Sequence, residues 1–240
     1  MELALQLIAV LVASILTFFS GFGLGTILLP VLLLSFEPLV AISYTAFVHF
    51  LNNVFKTGIL WKEIDRLVVL KFGLGSIVFA ILGSFLISEL SIETKTIEVL
   101  IGFLIICFTV FDIIPISNKI SFFDNLYLGG ALSGFFGGIS GHQGALRSAF
   151  LIRLDLSKYA YIATGTAISL FIDASRIPIY LINGDINLSV MLDYKFVALS
   201  ATSVIGVLLG RKLLKKSNIK VLRITVAIFL IVTGGYMIFR

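Results

Sequence analysis

Charge is scarce in this sequence. Asp, Glu, Lys and Arg supply 13% of its 240 residues, where a soluble domain carries about 25%. No polar stretch is longer than a short loop, and hydrophobic residues reach 59%. These shortages exclude a soluble domain and identify an integral membrane protein. The apolar runs are continuous, with none of the alternation of barrel strands, so helices are the spanning elements. The single cysteine, Cys107, lies in an apolar run and rules out an intramolecular disulfide. No nucleotide-binding motif is present, which argues against ATP hydrolysis by this chain, and no cofactor or metal site is expected. The first residues, MELALQLIAV, lack the basic start and small-residue cleavage site of a secretory signal, and are read as the start of the first membrane segment. The net charge of +5 does not point to nucleic acid, because the basic residues cluster at segment ends. One block holds Arg211, Lys212, Lys215, Lys216, Lys220 and Arg223, and such blocks fix orientation and meet anionic headgroups.

What is present is a series of eight apolar segments, roughly 3–35, 39–60, 67–88, 95–114, 125–152, 159–182, 194–214 and 219–239. Most approach the ~20 residues needed to cross the hydrocarbon. Proline is used four times: Pro38 and Pro115 punctuate segment ends, Pro178 is expected to kink segment six, and Pro30 follows a break in segment one.

That break occurs twice. The first copy reads FFSGFGLGTILLP over residues 18–30, and the second FFGGISGHQGALRS over residues 135–148. Glycine-interrupted segments in corresponding places of two halves are the best sequence pointer to a transporter's binding site. Loop charges bear on how these segments run. With eight full crossings, the basic loop at Lys62, Arg66 and Lys71 and the basic block at 211–223 fall on opposite sides. If segments one and five instead enter and leave on one face, each half has three crossings and the halves are inverted. The cytoplasmic side then also collects Lys119, Arg153 and Lys158, the outer side keeps only Lys95, Lys195 and Arg240, and both termini face outward. The expected fold is therefore all-α: a multi-pass protein of the cell membrane with one transmembrane domain. It comprises two inverted repeats, 1–118 and 119–240, in which segments one and five are broken and re-entrant. Eight simple crossings with kinked first and fifth helices are the alternative.

Superposing each residue on the one 120 positions later aligns Ser20 with Ser140, Gly21 with Gly141, His49 with Ser169, Asn53 with Asp173 and Lys56 with Arg176. Polar groups in lipid are costly unless satisfied or turned to a cavity. Matched polar positions thus suggest one shared central cavity. Its expected substrate-binding residues are Ser20, Gly21 and Gly23 from the first break and Ser140, Gly141, His142, Gln143 and Arg147 from the second. The helices that follow contribute Asn52, Asn53, Thr164, Asp173 and Arg176. The balance of charge is positive, which suits a small anion, and a helix interrupted at glycine offers free backbone N–H groups and the positive end of its dipole. Three of these polar groups have plainer readings. Asp173 and Arg176, three residues apart on one helix face, can neutralise each other. Lys56 is read as snorkelling to the interface. His49 with Asn52 and Asn53 is read as a helix-packing cluster.

At these residues the chain resembles the TauE/SafE family of sulfite exporters and related anion transporters. The likeness runs through the first break with Pro30, the turn at Glu37-Pro38, the stretch Ala41 to Thr45 and Asn52. It returns as GGISGHQGALRS and YAYIATGTAISL in the second half. The resemblance implies transport of a sulfur-containing anion such as sulfite, a sulfonate or thiosulfate. Two stretches depart from the family pattern: the first break reads GFGLG where the family has a triple glycine, and the second carries His142, Gln143 and Arg147 where the family continues apolar with proline.

The leading reading is thus a secondary transporter, its partners a small anionic substrate and the lipid bilayer, with no nucleic acid and with a homo-oligomer left open. An anion channel uses the same cavity. Gly138-Ile139-Ser140-Gly141 also matches the GxSG nucleophile motif of intramembrane serine proteases. There His142 is only two residues from Ser140 and is expected to point elsewhere on a helix.

Overall fold

The computed structural model describes residues 2–17, 24–89, 93–113, 121–184, 193–213 and 219–239. In the first half α1 (Glu2–Leu16), α2 (Leu24–Leu32), α3 (Pro38–Leu60), α4 (Arg66–Glu89) and α5 (Thr94–Ile113) follow in order. The second half repeats the series as α6 (Leu126–Ser140), α7 (Gly144–Leu151), α8 (Lys158–Ile182), α9 (Tyr194–Leu213) and α10 (Ile219–Phe239). The helix starts are encoded locally. Pro38 opens α3 at a position where its missing N–H costs nothing. Asn125 Oδ1 accepts from the N–H groups of Tyr127 and Leu128 ahead of α6. Ser157 Oγ accepts from Ala160 N at α8, and Asp65 Oδ1 from Leu67 N and Val68 N at α4.

Length separates long helices from short ones, with α1 and α6, of 15 residues each, between them. α3, α4, α5, α8, α9 and α10 hold 23, 24, 20, 25, 20 and 21 residues. At about 1.5 Å per residue, 20 residues cover the ~30 Å of hydrocarbon. By contrast α2 and α7 have 9 and 8 residues and cannot cross. Side chains show which way the short helices turn. Near the start of α1, Gln6 Nε2 donates to Ser35 Oγ just past α2, at 3.3 Å. Phe150, late in α7, presses on Gly129, early in α6, where an added Cβ would sit 2.7 Å from its ring. Phe122 and Phe123, ahead of α6, pack on Phe150 with centroids 6.0 and 5.0 Å away. Each broken segment therefore folds back with its ends together. The two tips also approach: a Cβ on Gly25 would lie 3.5 Å from the carbonyl oxygen of Gly141.

Burial follows the membrane pattern. All nine residues of α2 are buried. α4 turns Leu67, Leu70, Leu74, Val78 and Leu82 outward in a helical stripe, the arrangement of a lipid-facing surface. The chain is an all-α, multi-pass membrane protein. Its packing repeats under exchange of halves: α4 lies on α6 as α1 lies on α9, α4 on α8 as α3 on α9, and α5 on α7 as α10 on α2. Two further pairs, α3 with α8 and α5 with α10, join equivalent helices.

The closest of these contacts is built from small residues. Gly130, Gly134 and Gly138, one turn apart on α6, lie against Phe72 and Ser76, against Ser76, and against Ala80 and Ser84 of α4. A Cβ on any of the three would overlap the facing backbone. α4 answers with Gly75 against Tyr127 and Gly83 against Phe135. Small residues at four-residue spacing let backbones touch, which is how helices associate without a hydrophobic driving force in lipid.

Candidate substrate site

α6 stops at Ser140 because Gly141 adopts φ +77°, a left-handed conformation that glycine takes without steric cost. Its N–H closes the helix by donating to Gly137 O at 2.9 Å. The turn brings His142 back, so that Nδ1 lies 3.0 Å from Ser140 Oγ. The expectation that His142 points away from Ser140 fails, since it assumed a continuing helix. His142 is buried, and its Nε2 has no hydrogen-bond partner among the described residues. α7 then starts at Gly144, also buried, and the Gln143 side chain does not cap it. The first-turn N–H groups of a helix have no acceptor within it. A buried, uncapped amino terminus thus stands beside an unpartnered imidazole nitrogen.

Gln143 is occupied elsewhere. Its Nε2 donates to Asp173 Oδ1 at 3.4 Å, its Oε1 accepts from Arg147 Nη1 at 3.2 Å, and its backbone carbonyl accepts from Ser133 Oγ at 3.1 Å. Arg147 also donates to Ser169 Oγ on α8 and makes no ion pair among the described residues.

Behind the tip lies a wholly buried polar group between α3 and α8. Asp173 Oδ1 accepts from Arg176 Nε and Nη2 at 3.1 and 2.9 Å, and its Oδ2 lies 2.7 Å from His49 Nδ1 and 3.3 Å from Asn53 Nδ2. Arg176 Nη1 reaches Gly137 O at 3.0 Å, and Tyr180 donates to Gly138 O at 2.6 Å. This group ties α8 to the last turn of α6. Asp173 and Arg176 neutralise each other, as their spacing allowed. Asn53 and Asp173, equivalent under the 120-residue offset, touch each other.

Of the expected site residues, Ser140, Gly141, His142, Gln143, Arg147, Asn53, Asp173 and Arg176 come together here. Ser20, Gly21 and Gly23 lie outside the described residues. Two join other contacts. Thr164 Oγ1 accepts from Asp65 N at 2.9 Å, serving the turn before α4. Asn52 Nδ2 donates to Ser14 Oγ and Ser203 O, both at 3.1 Å, stitching α3 to α1 and α9. Adjacent residues on a helix face about 100° apart, so Asn52 and Asn53 could not share a partner. Lys56 does not snorkel: it is 3% exposed, and Nζ donates to Thr17 Oγ1 at the end of α1, at 2.9 Å. His49 and Ser169 were aligned by the repeat and belong to the group, although neither counted among the expected contacts.

Comparison with known families decides the class. The family model described as "Sulfite exporter TauE/SafE" matches residues 6–237. The chain belongs to the TauE/SafE family. No curated protein and no solved structure matches it. TauE/SafE proteins are membrane transporters of sulfite and related anions and not enzymes, which removes the serine protease reading. Geometry agrees, for Ser140 Oγ donates to Phe136 O at 3.2 Å and, among the described residues, no side chain orients His142 from behind. A general base in such an enzyme is held by a third group.

Proposed function

We propose that this TauE/SafE protein is a secondary transporter of a small sulfur-containing anion of the sulfite, sulfonate or thiosulfate type, working in the cell membrane. The anion binds at the tip of the α6–α7 hairpin, facing the α1–α2 hairpin. The observation that carries this reading is the pairing of an uncapped, buried α7 amino terminus with the unpartnered Nε2 of His142. Free N–H groups and the dipole at a helix start favour an anion. Arg147 adds a positive charge, because Asp173 is already committed to Arg176. Ser140, Gly141 and Gln143 shape the turn that presents these groups.

The two repeats, 1–118 and 119–240, are inverted on this reading. Contact between the equivalent Asn53 and Asp173 supports a pseudo-two-fold axis through α3 and α8, since a residue touches its own counterpart only at the axis. Alternating access then consists of rocking one hairpin and its long helices against the other around a fixed site.

A ligand that binds the folded state raises its melting temperature, so a thermal-shift panel of sulfite, thiosulfate, sulfonates and carboxylates tests the reading. A sulfur oxyanion should stabilise the purified protein, and Arg147→Ala should remove the shift. An undiminished shift in that variant places the site elsewhere.

A further inference from the structure

A second binding surface lies apart from the hairpin tips, at the basic end of the bundle. α3 and α9 run side by side, held in register by the bond from Asn52 to Ser203 O. Some eight residues further on, both helices reach a cavity of about 1000 Å³. Its rim carries Lys62, Arg211 and Lys212 with Trp61 and Tyr159, and a single carboxylate, Glu63. Lys62 Nζ stands 5.7 Å from the centroid of the Trp61 ring. The throat is apolar, with Gly58, Ile59 and Leu208, and a Cβ on Gly58 would meet nothing within 4 Å.

Three features select the occupant. The rim has an excess of positive charge, which calls for an anion. The floor is apolar, where Leu60 packs with Ile162, Ala163 and Val207 in a buried cluster. Toward the middle of the membrane, one helical turn back from Gly58, Ile59 and Leu208, Val54 and Phe55 of α3 and Ile205 of α9 face outward. A soluble anion has no use for that apolar slope, whereas an acyl chain does. Tryptophan and tyrosine at the rim mark the depth of lipid headgroups, and basic pockets between membrane helices on the cytoplasmic side hold anionic headgroups.

We propose that this furrow binds an anionic phospholipid. Its phosphodiester is held by Lys62, Arg211 and Lys212, and its chains lie along Val54, Phe55 and Leu208. The site is independent of the transport reading.

Retention of lipid by the purified protein, read by native mass spectrometry alongside thermal shift, tests the assignment. Short-chain phosphatidylglycerol should be retained and raise the melting temperature, whereas phosphatidylcholine and soluble glycerol phosphate should do neither. The triple variant Lys62→Gln, Arg211→Gln, Lys212→Gln should lose the phosphatidylglycerol effect, while Arg66→Gln with Lys71→Gln, at the same end but off the furrow, should keep it. Lys62→Gln alone, placed on the short turn after α3, guards against failure of the triple variant to fold. It should weaken retention about fivefold, the effect of one cation near a charged membrane surface. Equal retention of the two lipids, equal loss in the control variant, undiminished binding in Lys62→Gln, or the same shift from glycerol phosphate each overturns the proposal.

Discussion

Asp173 is the hub of the buried polar group, bonded to Arg176, Asn53 and Gln143 and in contact with His49. Removing one partner of a buried ion pair leaves a charge uncompensated, at a cost of about 3–5 kcal/mol, whereas replacing both with apolar groups is far milder. Asp173→Ala should therefore lower the melting temperature sharply, and Asp173→Leu with Arg176→Leu should recover most of that loss. Strictly additive losses would mean the two are not a pair. His142→Ala should behave in the opposite way, weakening anion binding with little change in stability, because its Nε2 has no partner among the described residues and its Nδ1 bonds only within the turn, to Ser140 Oγ. A large fall in melting temperature with unchanged anion affinity would make His142 a packing residue. The reach of sequence reasoning differs among these residues. The Asp173–Arg176 pair was legible from a three-residue spacing, and Asn53 from its alignment with Asp173. Lys56 was misread because closeness to a helix end stood in for exposure, and the end of α1 covers it through Thr17. Thr164 shares a polar run with Ser169, but a one-dimensional run does not say which hydroxyl faces a neighbouring loop.

At the scale of elements, the two breaks were the clearest signal in the chain. Glycine and polar residues interrupting an apolar run are expensive in lipid unless the backbone turns inward, so their presence marks a turn. Partner choice was not legible in the same way. The stripe Gly130, Gly134, Gly138 stands in the sequence at regular spacing, yet that it receives α4 depends on Phe72, Ser76, Ala80 and Ser84, far earlier in the chain. The stripe supports a direct prediction. Gly134→Val should destabilise by about 1–3 kcal/mol or more, as overpacking does, because the added atoms meet the backbone of Ser76 and not the end of a flexible side chain. Gly58→Val, whose added atoms meet nothing, should be tolerated. Thermal unfolding of the two variants side by side checks the contrast, and equal tolerance would contradict the tight α4–α6 contact.

For the whole molecule, the equivalences join up: five α-helices in each half among the described residues, exchanged packing partners, and a polar group where α3 meets α8. Hydropathy with loop charge was enough to mark the apolar segments and to argue an odd number of crossings in each half, because membrane thickness and the positive-inside bias act on single segments. Depth and facing were out of its reach, since they depend on how helices rotate against one another. If both broken segments are re-entrant, reporter enzymes fused to either terminus should report the outer side, and cytoplasmic readouts at both ends would contradict the inverted arrangement. On the proposed reading, a sulfur oxyanion crosses by binding at the hairpin tips. Counterflow of labelled thiosulfate or sulfite in proteoliposomes addresses it most directly. Saturable uptake driven by unlabelled anion inside the vesicles is expected, lost in Arg147→Ala and strongly reduced in His142→Ala. Counterflow in both variants equal to that of the unaltered protein would contradict it.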